Sequence, residues 1–185
     1  MSTLNLYAGI VAASFCAFVH AGEPYGLGRT ATDAEIRAWD IDVRADGHGL
    51  PLGHGDVPSG ERIYAEKCAA CHGSKGQGGP MDKLTGGEAT LTTTGPVKTI
   101  GSFWPYASTL FDYVRRAMPF NTPQSLSNEE TYSVVAYVLH LNGILTADAT
   151  LDASSLPRVQ MPNRNGFTED PRPDVAIKPC QADCR

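Results

Sequence analysis

Two cysteines three residues apart, followed at once by a histidine, are the side chains of this sequence best placed to do chemistry. They are Cys68, Cys71 and His72, in the pattern C-x-x-C-H. Thiols at this spacing share one side of a helical turn, about 5–6 Å apart at Cβ, which suits addition to the two vinyl groups on one edge of a haem. The adjacent imidazole then becomes the proximal iron ligand. The motif therefore predicts one covalently attached haem c.

Two other uses of a C-x-x-C pair compete with haem attachment. A thioredoxin-like redox pair follows a strand in a βαβ pattern, whereas residues 59–67 predict a short helix that begins at Ser59 as its N-cap. A structural zinc site needs a second ligand pair, which Cys180 and Cys184 supply. In an oxidising compartment those two cysteines are more typical of a small disulfide. Haem attachment is the favoured interpretation.

Met118 is the predicted sixth ligand of the iron. It lies between two predicted helices, and Pro119 stiffens the loop that presents its sulfur. A thioether ligand favours ferrous iron and raises the reduction potential, as suits electron transfer. The competing interpretation makes Met118 a flexible core residue. Weaker candidates for the same position are Met81, Met161, His48, His54 and His140.

Three further residues are expected around the haem. The carbonyl of Pro80 is expected to accept the second ring N–H of His72 and so fix the orientation of the ring. Trp104 and Tyr106 either line the pocket or belong to the plain core. No Ser/His/Asp set, phosphate loop or carboxylate pair stands out in the sequence. With both axial positions filled the iron does not bind substrate, so we expect outer-sphere electron transfer and no catalysis by this chain alone.

Helical signals place the haem domain at residues 59–143. A helix over 59–71 enters the attachment site, and a loop over 73–80 follows it. A second helix is predicted at 107–117. Ser127, with an acidic first turn, opens a third helix that continues over 131–141 and ends at Asn142-Gly143.

Composition narrows the class of protein. The 185 residues are 42% hydrophobic, enough for one domain with extensions. The 19 glycines and 13 prolines indicate much irregular structure. A net charge of −5 gives no support to a nucleic-acid partner, so the polar surface is expected to meet other proteins.

Residues 1–21 are predicted to be a signal peptide. An apolar run over 4–19 ends in Val19-His20-Ala21, although no Lys or Arg precedes it. The run falls short of the roughly 20 apolar residues of a membrane span, so no span is expected in the mature chain. Cys16 is expected to be lost on processing. Export to the periplasm agrees with haem c attachment, which takes place outside the cytoplasm.

Two arms are predicted to flank the haem domain. The N-terminal arm covers 22–58, with a short helix through Trp39 that Thr32 or Asp33 caps. The C-terminal arm covers 144–185 and is pinned near its end by the proposed Cys180–Cys184 disulfide. Its prolines favour an extended path; they are Pro157, Pro162, Pro171, Pro173 and Pro179.

Three stretches together resemble a known family. They are Tyr25-Gly26-Leu27-Gly28-Arg29-Thr30-Ala31-Thr32 with Glu35-Ile36 and Trp39-Asp40-Ile41-Asp42-Val43; Cys68-Ala69-Ala70-Cys71-His72-Gly73; and Arg116-Ala117-Met118-Pro119-Phe120 followed by Gln124-Ser125-Leu126. The chain resembles the cytochrome c subunit of the sulfur-oxidation (Sox) sulfane dehydrogenase and the related haem subunits of sulfite dehydrogenases. The segment over 39–43 is the more family-specific part, because the haem motif is generic.

The resemblance implies an all-α, class I cytochrome c fold with extended N- and C-terminal arms, and His72 and Met118 as iron ligands. It also implies a periplasmic complex in which a molybdenum-cofactor catalytic subunit oxidises the sulfur compound. Electrons then pass to this haem and on to a soluble cytochrome c. Some members carry a second haem domain, whereas this sequence has one C-x-x-C-H, so sulfane and sulfite both stay open. The alternatives are a free-standing periplasmic monohaem carrier and a haem enzyme or gas sensor with a labile sixth ligand.

Overall fold

The computed structural model describes residues 27–172. The chain divides into two compact units, the first ending at Asp40 and the second beginning at Ile41. Within residues 27–172 no helix has the length and apolar character to cross a membrane. The predicted signal peptide, Cys16 and the Cys180–Cys184 disulfide lie outside the described residues.

The described part of the first unit holds one short helix, α1 (Asp33–Trp39). Thr32 caps it: the Glu35 N–H donates to Thr32 Oγ1 at 3.3 Å, and the Thr32 N–H donates to Glu35 Oε2 at 2.9 Å. Arg29 pairs with Glu35, and Arg29 followed by Thr32 lowers the pKa of Glu35 to about 2. The predicted helix is confirmed, and of the two predicted caps, Thr32 and Asp33, Thr32 is the one observed.

The described part of the second unit, residues 41–172, is built on four α-helices around a buried centre. They are α2 (Val57–Lys67), α3 (Ala69–His72), α4 (Ala107–Ala117) and α5 (Asn128–Leu141), with a 3₁₀ turn at Leu156–Arg158. Every residue of α5 from Thr131 to Leu139 is buried. Gly60 lets α2 cross α5 closely, because a Cβ there would lie 1.9 Å from the Ser133 carbonyl oxygen.

Helix caps decide where α2 and α5 begin. Ser127 caps α5 and accepts from the Glu130 N–H at 3.1 Å, which confirms the predicted start. The predicted cap of α2, Ser59, is wrong. Asp56 takes that position and accepts from the Ser59 N–H at 2.7 Å, and Pro58 fits the first turn, where a missing N–H costs nothing.

A two-stranded antiparallel sheet interrupts the helical pattern. Strand β1 (His54–Asp56) pairs with β2 (Thr150–Asp152), with Gly55 opposite Leu151. A Cβ on Gly55 would lie 2.2 Å from the Ser133 nitrogen, so only glycine lets β1 lie against α5. The sequence did not predict these strands. The described fold is otherwise helical, as expected.

Segments on both sides of the predicted haem domain contribute to its core. Val43, on the N-terminal side, is buried. Leu151, Leu156 and Met161, on the C-terminal side, are buried in the same apolar cluster as the helices. The arm boundaries stay predictions, but residues predicted to form extended arms are packed against α4 and α5 over part of their length.

Candidate haem-binding site

The attachment motif occupies the turn between α2 and α3. The Cys68 N–H closes the last turn of α2 on the Tyr64 carbonyl at 2.9 Å. The N–H groups of Cys71 and His72 then both donate to the Cys68 carbonyl, at 3.1 and 3.0 Å. The predicted continuous helix over 59–71 is therefore interrupted at Cys68, where φ is −123°. Both thiols and the imidazole nevertheless lie on one helical turn.

The two thiols differ in exposure. Cys68 is partly buried and packs against the core, whereas Cys71 is exposed. Burial raises the pKa of the Cys68 thiol to about 11. Within residues 27–172 neither sulfur is bonded to another cysteine, so both are available for thioether bonds.

The loop that follows the motif folds back onto it. The Gly78 N–H donates to the His72 carbonyl at 2.8 Å, and the Met81 N–H donates to the Cys71 carbonyl at 3.0 Å. Gly73 begins this loop at φ +82°, with Gln77 where a Cβ would stand. The predicted non-helical loop over 73–80 is confirmed, and two main-chain hydrogen bonds join it and Met81 to the attachment turn.

His72 is oriented by Asp82 and not by Pro80. Nδ1 of His72 lies 2.8 Å from the Asp82 carbonyl oxygen. The prediction for the Pro80 carbonyl is therefore wrong, and Pro80 is exposed. The Gly79 N–H donates to the Met81 carbonyl at 3.2 Å, and this turn brings the Asp82 carbonyl to the His72 ring. No local signal in the sequence distinguishes these two carbonyls.

Tyr64 is a site residue that the sequence analysis missed. It is almost fully buried, its hydroxyl donates to the Gly73 carbonyl at 2.9 Å, and its ring packs on Tyr137 of α5. Burial raises the pKa of Tyr64 to about 12, so the hydroxyl stays a donor. It ties the residue after the motif to the core. A tyrosine one helical turn before the first cysteine is the signal that could have found it.

Met118 lies where α4 ends. It is the C-cap residue, its N–H donates to the Val114 carbonyl at 3.1 Å, and it is half-buried against the core. The other candidates for the sixth position are spread over the unit. Met161 is a buried core residue, Met81 is exposed, His48 and His54 are exposed, and Nδ1 of His140 lies 2.9 Å from the Leu145 carbonyl oxygen.

Trp104 and Tyr106 lie just before α4. The Trp104 ring meets the Tyr113 ring edge to face at 5.9 Å between centroids, and it is half-buried against the core. Tyr106 lies under the Arg164 guanidinium at 5.0 Å. Trp104 as a pocket residue stays a prediction.

The donor set fits haem c. Two unpaired thiols and one imidazole share a turn, and the hydrogen bond at Nδ1 of His72 leaves Nε2 for the iron. A half-buried methionine is available at the end of α4. Among residues 27–172, no three His, Cys, Asp or Glu side chains converge as a metal-ion site would. The fold and this donor set define a c-type cytochrome.

Comparison with known proteins agrees with that class. The cytochrome c family model matches residues 57–142. A chain in the crystal structure of the sulfane dehydrogenase SoxCD from Paracoccus pantotrophus is 44% identical, with a TM-score of 0.76; the match covers 88% of this chain and 83% of that one. This chain belongs to the cytochrome c family, and as a member it carries covalently bound haem c.

More distant relatives are longer proteins. Thiosulfate dehydrogenases of Stutzerimonas stutzeri and Allochromatium vinosum are 34% and 32% identical over 89 and 98 residues, which is 48% and 50% of this chain. The matched segments span 28% and 36% of those proteins, so this chain covers about a third of their length. The family and these names together support electron transport in sulfur oxidation.

Proposed function

We propose that this chain is the monohaem electron-transfer subunit of a periplasmic, molybdenum-dependent sulfane or sulfite dehydrogenase. It takes electrons from the molybdenum-cofactor catalytic subunit and passes them to a soluble cytochrome c. The observation that carries the proposal is the C-x-x-C-H turn in a chain that aligns over 83% of a sulfane dehydrogenase chain at 44% identity.

Cys68 and Cys71 would hold the haem through thioether bonds, and His72 and Met118 would be the two protein ligands of its iron. Haem c supplies a one-electron couple between ferrous and ferric iron when bound. The Asp82 carbonyl accepts a hydrogen bond from Nδ1–H of His72, which fixes the orientation of the ring and leaves the Nε2 lone pair for the metal.

The partly buried site is suited to keeping the protein structure nearly the same in the ferrous and ferric states. Cys68, Trp104 and Met118 all pack against the apolar core. Fixed ligands and an apolar surround reduce the rearrangement that accompanies the gain or loss of an electron. With both axial positions filled by the chain, no coordination site is open for a sulfur substrate. Oxidation of the substrate therefore belongs to the catalytic subunit, and this chain is not catalytic on its own.

Residues 27–40 are proposed to contact that catalytic subunit. Ile36 and Trp39 are three residues apart, so they share one face of α1, and both side chains are exposed. The capping box and the pairing of Glu35 with Arg29 hold α1 together without a core of its own. An exposed tryptophan beside an exposed isoleucine is typical of the centre of a protein–protein interface.

Co-purification tests the proposal. The full chain and a variant lacking residues 22–40 are expressed with their cellular partners. The deletion stops at residue 40 because Val43, Gly55 and Val57 are buried parts of the second unit. We expect the full chain to bring down a larger molybdenum-containing protein, and the deletion and the double variant Ile36→Ser, Trp39→Ser to lose it. The matched control Leu52→Ser changes another exposed residue and should keep the partner.

Three results would contradict the proposal. Unchanged binding by the deletion variant would remove the role of residues 27–40. A monomer with no co-purifying protein would favour a free-standing carrier. Absence of the weak red-edge absorption band that methionine coordination gives ferric haem would instead indicate a labile sixth position, as in a haem enzyme or gas sensor.

A further inference from the structure

Helix α4 holds residues 41–45 through hydrogen bonds to their main chain. The three bonds join the Ser108 hydroxyl to the Ala45 carbonyl (2.7 Å), the Val43 N–H to Asp112 Oδ1 (2.8 Å) and Arg115 Nη1 to the Ile41 carbonyl (3.1 Å). The segment and the helix run antiparallel, because residues 108, 112 and 115 of α4 bond to residues 45, 43 and 41 in that order. We call residues 41–45 the strap.

Asp112 is the most deeply buried charged member of these contacts. Its residue is 7% exposed, and a buried carboxylate is costly unless it is paired and hydrogen-bonded. Arg116 supplies the pairing: Nε donates to Oδ1 at 2.9 Å and Nη2 donates to Oδ2 at 2.5 Å. One carboxylate thus joins the main chain of the strap to the last turn of α4.

That last turn determines where Met118 leaves the helix. Arg116 comes two residues before Met118, and α4 ends at Ala117. Met118 then adopts an extended conformation with φ −120° and ψ 149°, so its side chain departs from the end of the turn that Asp112 and Arg116 fix. A loosening of this turn moves the origin of the Met118 side chain.

We propose that Asp112 is a positioning residue for Met118, holding the end of α4 so that the thioether stays on the iron. The inference rests on the proposed function, in which Met118 is the sixth ligand. Asp112 acts on this turn through Arg116, and the Val43 N–H of the strap holds the carboxylate in place for that pairing.

Ser108 provides a matched control. It is fully buried, and like Asp112 it makes one bond to the strap. It lies in the first turn of α4, whereas Met118 follows the last. Loss of Ser108 therefore weakens the strap without touching the turn that presents the methionine.

The test compares Asp112→Ala, Asp112→Asn, Arg116→Gln and Ser108→Ala in the full-length holoprotein. The readouts are the red-edge band of methionine-ligated ferric haem and the binding of carbon monoxide to ferrous haem, which competes with the thioether. In Asp112→Ala we expect the band to weaken and carbon monoxide to bind about tenfold more tightly, as the loss of a charged hydrogen bond predicts.

The remaining variants separate the parts of the mechanism. Arg116→Gln should resemble Asp112→Ala, because it removes the charged link to the last turn. The band intensity and the carbon monoxide affinity of Asp112→Asn should lie between those of Asp112→Ala and the wild type, because an amide oxygen still accepts from the Val43 N–H. Ser108→Ala should lower the thermal midpoint but leave the band and the carbon monoxide affinity unchanged.

A structural role alone would look different. If Asp112→Asn and Arg116→Gln lose only thermal stability, as Ser108→Ala does, and keep the band and the carbon monoxide affinity, the positioning role is overturned. Failure of the underlying assignment is distinguishable, since the wild type would then lack the band or Met118→Ala would keep it. If Asp112→Ala does not fold, the comparison of Asp112→Asn and Arg116→Gln with the wild type decides the question.

Discussion

Nδ1 of His72 lies 2.8 Å from the main-chain oxygen of Asp82. A carbonyl oxygen can only accept, so Nδ1 carries the proton and Nε2 keeps its lone pair. The segment that offers this oxygen is itself held from α5: the Asn142 amide nitrogen donates to the Leu84 carbonyl at 3.2 Å and to the Val138 carbonyl at 2.8 Å. The bond to Leu84 ties the segment that carries the Asp82 carbonyl to the residue that ends α5.

Asn142→Ala should destabilise the protein by about 1–3 kcal/mol, because the buried Val138 carbonyl loses its side-chain donor. The Leu84 carbonyl keeps only the Ile100 N–H, at 3.3 Å. We also expect a change in reduction potential, since the 82–84 segment becomes free to move away from His72. Urea unfolding and a redox titration measure the two effects. A loss of stability with an unchanged potential would mean that Asn142 does not influence the ring.

Gly60→Ala should cost about 1–3 kcal/mol or more, the range for overpacking a close contact. Its new Cβ would lie 1.9 Å from the Ser133 oxygen and 2.8 Å from Tyr137 Cβ, so α2 and α5 must separate. Gly95→Ala is the control, because no heavy atom lies within 4 Å of a Cβ at Gly95. Equal thermal midpoints for the two variants would contradict the close crossing.

Asp56→Ala should cost about 1 kcal/mol, the usual value of an N-cap, whereas Ser59→Ala should be nearly neutral. The Ser59 hydroxyl accepts from Arg62 at an exposed position and caps nothing. Asp56→Asn should keep most of the stability, because its side-chain oxygen still accepts from the Ser59 N–H. Chemical unfolding of the three variants ranks them, and a larger loss for Ser59→Ala would restore Ser59 as the cap.

Glu130 should make stability depend on pH in the acid range. The Ser127 N–H, followed by the Lys67 ammonium at 2.9 Å, lowers the pKa of Glu130 below its usual 4.5. Its contribution is therefore present above about pH 4.5 and is lost as the pH falls through the lowered folded-state value.

Glu130→Gln removes this titration. Unfolding free energies measured between about pH 6 and pH 3 should fall less steeply in the variant than in the wild type. Lys67→Gln should remove part of the difference, because the Ser127 N–H still favours the carboxylate. If the unfolding free energies of the wild type and Glu130→Gln fall equally with pH, Glu130 does not contribute to the pH dependence of stability.

The sequence predicted features that depend on neighbours in the chain. Helix α4 has the predicted bounds, and the Thr32 and Ser127 caps are confirmed because each is followed three residues later by the glutamate of a capping box. At α2 the local signal was ambiguous. Asp56 and Ser59 are both good caps, and the choice between them depends on the pairing of β1 with a strand far along the chain.

Features set by distant contacts were not predictable from one sequence. Strands β1 and β2 have three residues each, which is too short for an alternating pattern to be recognised in the sequence. Gly55 permits the close contact with Ser133 that their pairing needs. The choice of Asp82 over Pro80 depends in the same way on how a glycine-rich loop folds back. The burial of Asp112 could not be predicted from the sequence. Arg115 and Arg116 follow it three and four residues later, and such charged pairs on a helix usually face solvent.

The β1–β2 pairing has a practical consequence for protein engineering. The family match begins at residue 57 and ends at 142, but a graft limited to those residues would discard both strands together with Leu151 and Leu156. The surfaces of α5 and α4 that they cover would then be exposed to solvent, and an exposed apolar surface of that kind promotes aggregation. A segment of this cytochrome that is grafted into another protein should therefore begin before the strap and extend past Met161.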